Sequence, residues 1–232
     1  MSGVNYDSLK LDRPFVLVRE MAADKLRNAI LAGVLAPGER LVEASLAKSM
    51  GVSRPSIREA LSQLIAERLV TVVPNRGPAV ATISWEDAQA IYEVRALLEA
   101  EAAAQFAKRA TGEDIARLET ALRDFERGIK AGDINQLLLA TSDFYGAILG
   151  RCGNPVIKDV LDGLNARISF LRARSMSREG RPPQSLAEMT AIFKAVQQKN
   201  SDAARKASTK HVANAASNAK AAFVAAQNDG RS

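Results

Sequence analysis

The sequence predicts a mainly α-helical protein, in which a smaller N-terminal part with two short strands precedes an antiparallel bundle of about six helices. Three observations carry this prediction. Alanine is abundant, while glycine and proline are ordinary in number, which favours helix. Short β-prone runs occur only before residue 84, and from there helical segments follow one another. The length of 232 residues is enough for two modest domains that each bury a core.

Charge and cysteine content limit the class of protein. The formal net charge is +6 and the isoelectric point is about 9.6, a balance that suits a nucleic-acid partner. The single cysteine, Cys152, allows no disulfide within the chain. The first residues lack the apolar core of a signal peptide, and no apolar run approaches the roughly 18–20 residues of a membrane span. We therefore expect a cytoplasmic protein with no membrane partner.

The N-terminal domain is expected to cover residues 13–83, after a flexible lead-in over residues 1–12. The lead-in is polar and has no apolar period. Apolar residues at helical spacing predict a first helix over residues 15–31, and Pro37-Gly38 then turns the chain.

Two short helices joined by a tight turn follow. Glu43 to Met50 forms the first helix, and Ser53 is a natural N-cap for the second, which runs to about Glu67. Two helices that meet closely need a small residue at the contact and a glycine in the turn, and Ala47 and Gly51 supply them. This spacing predicts a helix-turn-helix, whose second helix enters the major groove of DNA by its N-terminal turn.

A β-hairpin completes the winged form of this motif. Val70–Val73 and Ala79–Thr82 are short β-prone runs, and residues 74–78 between them carry the turn formers Pro, Asn and Gly. The hairpin tip suits a contact to the minor groove or to phosphate.

The second domain, residues 84–228, is expected to form the helical bundle. Ser84 is a natural N-cap, and the acidic residues Glu86 and Asp87 lie in the first turn of the helix that follows. Short breaks, most of them with glycine, asparagine or proline, separate the later segments. The predicted helices cover residues 85–110, 112–130, 134–149, 155–176, 184–199 and 202–226.

Candidate DNA contacts lie at the start of the second helix of the motif and at the wing tip. Arg54 suits a bidentate contact to guanine or a phosphate clamp, and Arg58 lies one turn further along. The free N–H groups at the helix start favour phosphate. Simple solvation of these arginines is the alternative. The predicted DNA contacts are Ser53, Arg54, Pro55, Ser56, Arg58, Arg76 and Gly77.

Residues 31–80 resemble the DNA-binding domain of the GntR family of bacterial transcription regulators. The resemblance lies in the segments AGVLAPGERL, LAKSMGVSRPSIREAL and PNRG. It implies a homodimer that binds double-stranded operator DNA with an inverted repeat. Many relatives carry arginine where this chain has Ala44, so we expect that phosphate contact to be missing. By the motif, the residues at DNA-contacting positions are Ser53, Arg54, Ser56, Arg58 and Gly77.

The rest of the chain resembles the FCD branch of that family, and six helices rather than seven indicate its VanR-like subgroup. The resemblance lies in IYEVRALLEAEAAAQFA, DFYGAILGRCGNP and the late helices, and it implies a domain that dimerises and binds a small effector. Many FCD domains hold a divalent metal with one aspartate and three histidines. At the four ligand positions this chain carries Thr141, Tyr145, Met189 and His211. A single neutral imidazole does not make a metal site, so we expect no metal and no other cofactor.

Three roles remain open for His211. It is a metal ligand, a buried histidine with one hydrogen-bond partner, or an effector contact together with Tyr145 and Thr141. The predicted effector pocket comprises Arg95, Thr141, Tyr145, Arg167, Arg172, Met189 and His211.

The arginines of this pocket also have two roles each. Arg95 either faces the pocket, as in relatives, or pairs with Glu99 one turn along the helix. Arg167 and Arg172 lie beside an apolar helix face, and they either meet an acidic effector or are solvated.

The sequence therefore predicts a sequence-specific DNA-binding regulator of transcription, expected to be a repressor, whose operator affinity is controlled by a small metabolite in the bundle. A carboxylate is one candidate class of effector. The alternatives are a metal-dependent regulator of the same family that uses His211, and a DNA-binding protein with a vestigial, ligand-free bundle. An enzyme is not expected, because the chain has no glycine-rich phosphate loop, no nucleophile beside a base and one histidine.

Overall fold

The structure is a computed structural model that describes residues 13–229, with side chains described over residues 18–224. The chain divides into two compact units between Thr82 and Ile83. Helix is the main regular structure in both units, as predicted. The lead-in predicted over residues 1–12 lies outside the described residues.

Three helices and one hairpin form the described part of the N-terminal unit. α1 and α3 pack against each other, and each buries apolar residues at helical spacing. The end of α3 is tied to α1 by a two-point ion pair, in which Arg27 Nε lies 2.8 Å from Glu67 Oε2 and Nη2 lies 2.6 Å from Oε1. The elements are α1 (Arg13–Leu31), α2 (Glu43–Met50), α3 (Arg54–Ala66), β1 (Val70–Val73) and β2 (Gly77–Val80).

The turn between α2 and α3 confirms the helix-turn-helix. Gly51 ends α2 with a φ of 66°, in the left-handed region that favours glycine. The N–H groups of Gly51 and Val52 both donate to the carbonyl of Ala47, so the first residues after α2 are fixed in place. Ala47 itself is buried, as the close meeting of the two helices requires.

The hairpin forms, but its second strand begins earlier than predicted. β2 covers Gly77–Val80 rather than residues 79–82, and Val73 pairs with Gly77 across the turn. The positive φ values of Asn75 (60°) and Gly77 (83°) let three residues close the turn where five were expected. Ala81 lies beyond the end of β2, although its N–H still donates to the carbonyl of Leu69, the residue before β1.

Six helices form the described part of the second unit, which agrees with the predicted number; the VanR-like subgroup stays a prediction. α4 and α9 pack along each other, and both bury alanines, whose small side chains let two helices approach closely. None of the described helices is both long enough and apolar enough to cross a membrane. The helices are α4 (Trp85–Arg109), α5 (Gly112–Ala131), α6 (Ile134–Arg151), α7 (Pro155–Met176), α8 (Arg181–Gln197) and α9 (Ser201–Asp229).

The start of α8 corrects the prediction. We expected this helix to begin at residue 184, yet α8 begins at Arg181 with Pro182 and Pro183 in its first turn. Proline is accepted there, because the first N–H groups of a helix have no partner within the helix. The earlier start places Arg181 inside the bundle, where it is fully buried.

We predict that Gly128→Ala destabilises the protein by about 1–3 kcal/mol through overpacking. Gly128 lies on α5 against α6, and an added Cβ would stand 3.0 Å from Leu137 Cδ2 and 3.2 Å from its backbone nitrogen. The matched control is Gly163→Ala on α7, where an added Cβ meets nothing within 4 Å and helix propensity favours alanine. Urea unfolding followed by circular dichroism measures both variants. Equal stability of the two would contradict the close α5–α6 contact.

Candidate functional sites

The start of α3 presents part of the predicted DNA contacts to solvent. Ser53 caps the helix, since its Oγ accepts the N–H of Ser56 at 3.2 Å. The two serine hydroxyls also share a hydrogen bond of 2.8 Å, and Ser56 is buried, so Ser56 acts within the cap. Ser53, Arg54 and Pro55 are exposed, with proline in the first turn.

Arg58 has an acidic partner that sequence analysis missed. Its Nε donates to Glu43 Oε1 at 3.1 Å and its Nη2 to Oε2 at 2.9 Å. The hydrogen bond from Arg58 lowers the pKa of Glu43 below its usual value, and attraction to Arg58 and Arg54 adds to the effect. Sequence spacing gives no sign of this pair, because the two residues are 15 positions apart and belong to different helices.

The wing tip is exposed and tightly turned. Arg76 is exposed, and its N–H donates to the carbonyl of Val73 at 3.1 Å, which closes the turn. Gly77 has a φ of 83°, so any other residue there would be strained. The arginine side chain is therefore carried on a fixed backbone.

The interior of the second unit contains a buried charge cluster, which begins with Arg95, Glu99 and Arg172. Arg95 Nε donates to Glu99 Oε1 at 2.7 Å, and Arg172 Nη2 lies 3.8 Å from the same oxygen. Of the two roles considered for Arg95, the structure shows the pairing with Glu99, and the pocket-facing role stays a prediction. Solvation is wrong for Arg172, which is buried, and Arg167 is half-buried.

The cluster continues with Glu188, a carboxylate that three side chains approach. Arg181 Nη1 donates to Glu188 Oε1 at 3.0 Å, Asn214 Nδ2 donates to Oε1 at 2.6 Å, and His211 Nδ1 lies 2.7 Å from Oε2. Burial alone would raise the pKa of Glu188, but the hydrogen bonds from His211, Arg181 and Asn214 outweigh burial and lower the pKa to about 2.

His211 is a neutral, hydrogen-bonded histidine. Burial lowers its pKa below the usual value, and the hydrogen bond and attraction to Glu188 offset only part of the effect. A carboxylate only accepts hydrogen bonds, so Nδ1 carries the proton and Nε2 holds a lone pair. The ring of Tyr145 lies with its centroid 6.0 Å from that of His211, and burial raises the pKa of the Tyr145 phenol, which stays protonated.

The cluster carries one positive charge more than its carboxylates balance. Arg95, Arg172 and Arg181 face Glu99 and Glu188, while His211 is neutral. Burial lowers the pKa of the Arg172 guanidinium, and repulsion from Arg95 adds to this. Tyr92 also borders the cluster, because the guanidinium of Arg95 lies 5.1 Å from the centre of its ring. Among the described residues, several buried donors of the cluster and its border have no hydrogen-bond partner: Arg95 Nη1, Arg172 Nε, Arg181 Nε, Tyr92 Oη and Tyr145 Oη.

The positions that hold a metal in many FCD domains do not fit a cation here. The Thr141 hydroxyl donates to the carbonyl of Leu137 at 2.7 Å, and Met189 Sδ lies 3.9 Å from the Ser185 hydroxyl. A protonated phenol and a thioether are poor ligands for hard or borderline metals. Within residues 18–224, no group of three histidine, cysteine, aspartate or glutamate side chains has the arrangement of a metal site. The nearby guanidinium groups add repulsion for any cation.

A cavity of about 80 Å³ adjoins the cluster. Glu99, Tyr145 and Arg172 contribute to its wall, together with Asn165 and Ile168. This volume is far below the roughly 300–1,000 Å³ of pockets for drug-sized ligands. It suits a compact group of a few heavy atoms.

Comparisons with known proteins match each of the two units to a described domain. Residues 18–80 match the model of the gntR family of bacterial regulatory proteins, and residues 90–214 match the FCD domain. A Bacillus subtilis protein described as the uncharacterized HTH-type transcriptional regulator YdhC is 30% identical over 200 residues, which cover 86% of this chain and 89% of that protein. The galactonate operon transcriptional repressor of Escherichia coli is 29% identical, over 81% of this chain and 90% of the relative.

Solved structures show the same fold. The structure of McbR/YncC from Escherichia coli aligns with a TM-score of 0.73 at 22% identity, over 84% of this chain and 93% of that one. A structure described as a putative transcriptional regulator GntR from Rhodococcus sp. RHA1 also reaches 0.73, at 25% identity, over 88% of this chain and 97% of that one. The likeness covers most of the chain in both cases.

We predict that the free energy of unfolding falls as the pH drops from 7.5 to 5.5, by at most about 1.4 kcal/mol per pH unit. His211 is the sole histidine. The unfolded chain takes up its proton near pH 6.5, whereas the folded chain resists protonation to lower pH, so acid favours unfolding. Urea unfolding at three pH values measures the slope. His211→Gln keeps a donor for Glu188 but does not titrate, so it should flatten the slope, and a slope of opposite sign would mean that folded His211 is charged.

Proposed function

The chain belongs to the gntR family of bacterial regulatory proteins, in the branch with an FCD domain, and from this premise we propose that a small anionic metabolite in the buried charge cluster controls its affinity for operator DNA. The chain is a DNA-binding regulator of transcription. The families that it matches are regulators rather than enzymes.

The DNA-binding part of the proposal assigns residues 13–83 to operator recognition and residues 84–228 to effector binding and dimerisation. We propose a homodimer on an inverted repeat, because a two-fold protein imposes two-fold symmetry on its DNA site. We also propose repression, in line with the relative described as the galactonate operon repressor. We propose that the protein acts in the bacterial cytoplasm, where operator DNA lies.

Within the DNA-binding unit, the exposed start of α3 is proposed to enter the major groove. Arg54 and Arg58 are the candidates for base or phosphate contacts, and Ser53 with the free N–H groups is the candidate for phosphate. Ser56 contributes to the proposed contact set by fixing the cap rather than by exposure. Arg76 on the wing is proposed to contact the minor groove or phosphate.

The uncompensated charge of the cluster is the observation that carries the effector proposal. A buried charge without a partner is costly, and a half-satisfied polar network is worse than an apolar core. A bound anion would supply acceptors for the free donors and balance the third arginine. The small cavity beside Arg172 suits a compact headgroup such as a carboxylate. A vestigial, ligand-free bundle would not need the third arginine, because Glu99 and Glu188 already pair with Arg95 and Arg181.

A metal-dependent regulator is the less favoured alternative. His211 Nδ1 is engaged with Glu188, and Thr141, Tyr145 and Met189 present a hydroxyl, a phenol and a thioether. In this proposal, buried guanidinium groups provide the positive charge that a metal provides in many FCD domains. The proposal therefore includes no cofactor.

We predict that Arg54→Ala or Arg58→Ala weakens operator binding by about 1–3 kcal/mol if the residue reads a base edge. A phosphate contact would instead weaken all sequences alike and lower the salt slope by about one unit. The operator is first obtained by selection from a random duplex library, and affinities are then measured over a salt series. The control is Lys25→Ala, which removes an exposed positive charge from α1. Parental affinity of both arginine variants at every salt concentration would contradict the docking.

We predict that Arg172→Gln weakens the response to anions without destabilising the anion-free protein. A lost charge-assisted hydrogen bond is worth about 1.5–3 kcal/mol, so affinity should fall tenfold or more. The unliganded variant should be about as stable as the parent, because Glu99 keeps its shorter ion pair with Arg95, at 2.7 Å against 3.8 Å for Arg172. Thermal shift and operator-binding assays with acetate, lactate, phosphate and sulfate measure the response.

The control for this experiment is Arg178→Gln, which changes an exposed arginine just beyond the end of α7. It should respond as the parent does. An intact anion response in Arg172→Gln would contradict the proposal. So would a stoichiometric transition metal that is lost in His211→Ala.

A further inference from the structure

We propose that Glu43 is a positioning residue that presents Arg58 to DNA in one orientation and thereby sets specificity. The inference rests on the DNA contact proposed for Arg58. It concerns a carboxylate on α2 that lies beside the two arginines of α3, where negative charge opposes DNA binding in general.

The geometry of the pair leaves a defined part of the guanidinium free. Glu43 binds Arg58 side-on, through Nε at 3.1 Å and Nη2 at 2.9 Å. A guanidinium has five N–H donors. This pairing uses two of them and leaves both protons on Nη1 and one on Nη2. The free donors form the end of the fork, which suits two parallel hydrogen bonds to guanine or phosphate.

The pair is held on a rigid frame. Glu43 lies in the first turn of α2, where a negative charge is favoured by the helix dipole. The turn at Gly51 fixes α2 against α3. Glu43 is 30% exposed, whereas Arg58 is 68% exposed, so the carboxylate is the anchored partner and the arginine reaches outward.

Glu43 affects operator DNA and unrelated DNA in different ways, because it both orients Arg58 and carries a negative charge. An oriented fork loses less side-chain freedom on binding, which favours an operator with matching acceptors. The carboxylate also repels phosphate wherever the helix docks, which weakens binding to unrelated sequences. Loss of Glu43 should therefore weaken operator binding and strengthen unspecific binding. A salt bridge that only supports the fold would change stability and leave this ratio unchanged.

The test compares Glu43→Ala, Arg58→Ala and the double variant on the selected operator and on a scrambled duplex. We expect Glu43→Ala to lower operator affinity and raise scrambled-duplex affinity, so that their ratio falls about three- to tenfold. In the Arg58→Ala background, removal of Glu43 should no longer weaken operator binding. The charge-matched control is Glu59→Ala, which removes an exposed carboxylate from α3 that does not bond to Arg58.

Glu43→Gln is the conservative variant and guards against a folding defect. It keeps one oxygen acceptor and loses the charge, so it should raise scrambled-duplex binding and lower operator binding less than Glu43→Ala does. An unchanged affinity ratio in Glu43→Ala, or a loss of operator binding that persists without Arg58, would overturn the inference. If Arg58→Ala alone leaves operator binding unchanged, the DNA contact assigned to Arg58 fails as well.

Discussion

The buried charge cluster of the helical unit depends on the carboxylate of Glu99. It is 2% exposed and lies between Arg95 and Arg172, two cations on different helices that would otherwise repel each other without screening. Burial alone would raise the pKa of Glu99, but attraction to Arg95 and Arg172 lowers it, so the group stays ionised. Breaking a buried pair from one side commonly costs about 3–5 kcal/mol. The buried charge cluster and the anion binding that we propose for it both depend on this shared partner.

A second carboxylate, Glu188, brings together the rest of the buried charge cluster. It accepts Arg181, Asn214 and the ring nitrogen of His211 from two helices, and so it fixes the tautomer of the histidine. His211 is the one position where this chain keeps the family's ligand type, yet its bonded neighbour is a carboxylate. The buried charge cluster is therefore held together by ion pairs and hydrogen bonds between side chains of the protein.

Local signals were sufficient for the helix-turn-helix and for most of the helices. Gly51, Ser53 and Ala47 act through their immediate neighbours, so their roles follow from the sequence. The partners of charged groups do not, since Glu188 and His211 are 23 positions apart and meet only because α8 packs on α9. Arg181 was missed because two following prolines suggested a loop. Arg172 was weighed as a solvated residue because charge usually indicates exposure, a rule that fails where a buried carboxylate lies nearby.

A guanidinium group is a permanent part of the chain, whereas a bound metal ion can leave its site. The occupancy of a metal site depends on the free metal concentration. A sensor that holds its ligand through a metal therefore responds to the free concentrations of both the metal and the ligand. The guanidinium groups of Arg95, Arg172 and Arg181 are always present at full occupancy, since arginine does not release its proton in proteins. For the anion that we propose to bind this cluster, the switching threshold would depend on the anion concentration alone. A shortage or an excess of metal in the cell would not change this threshold.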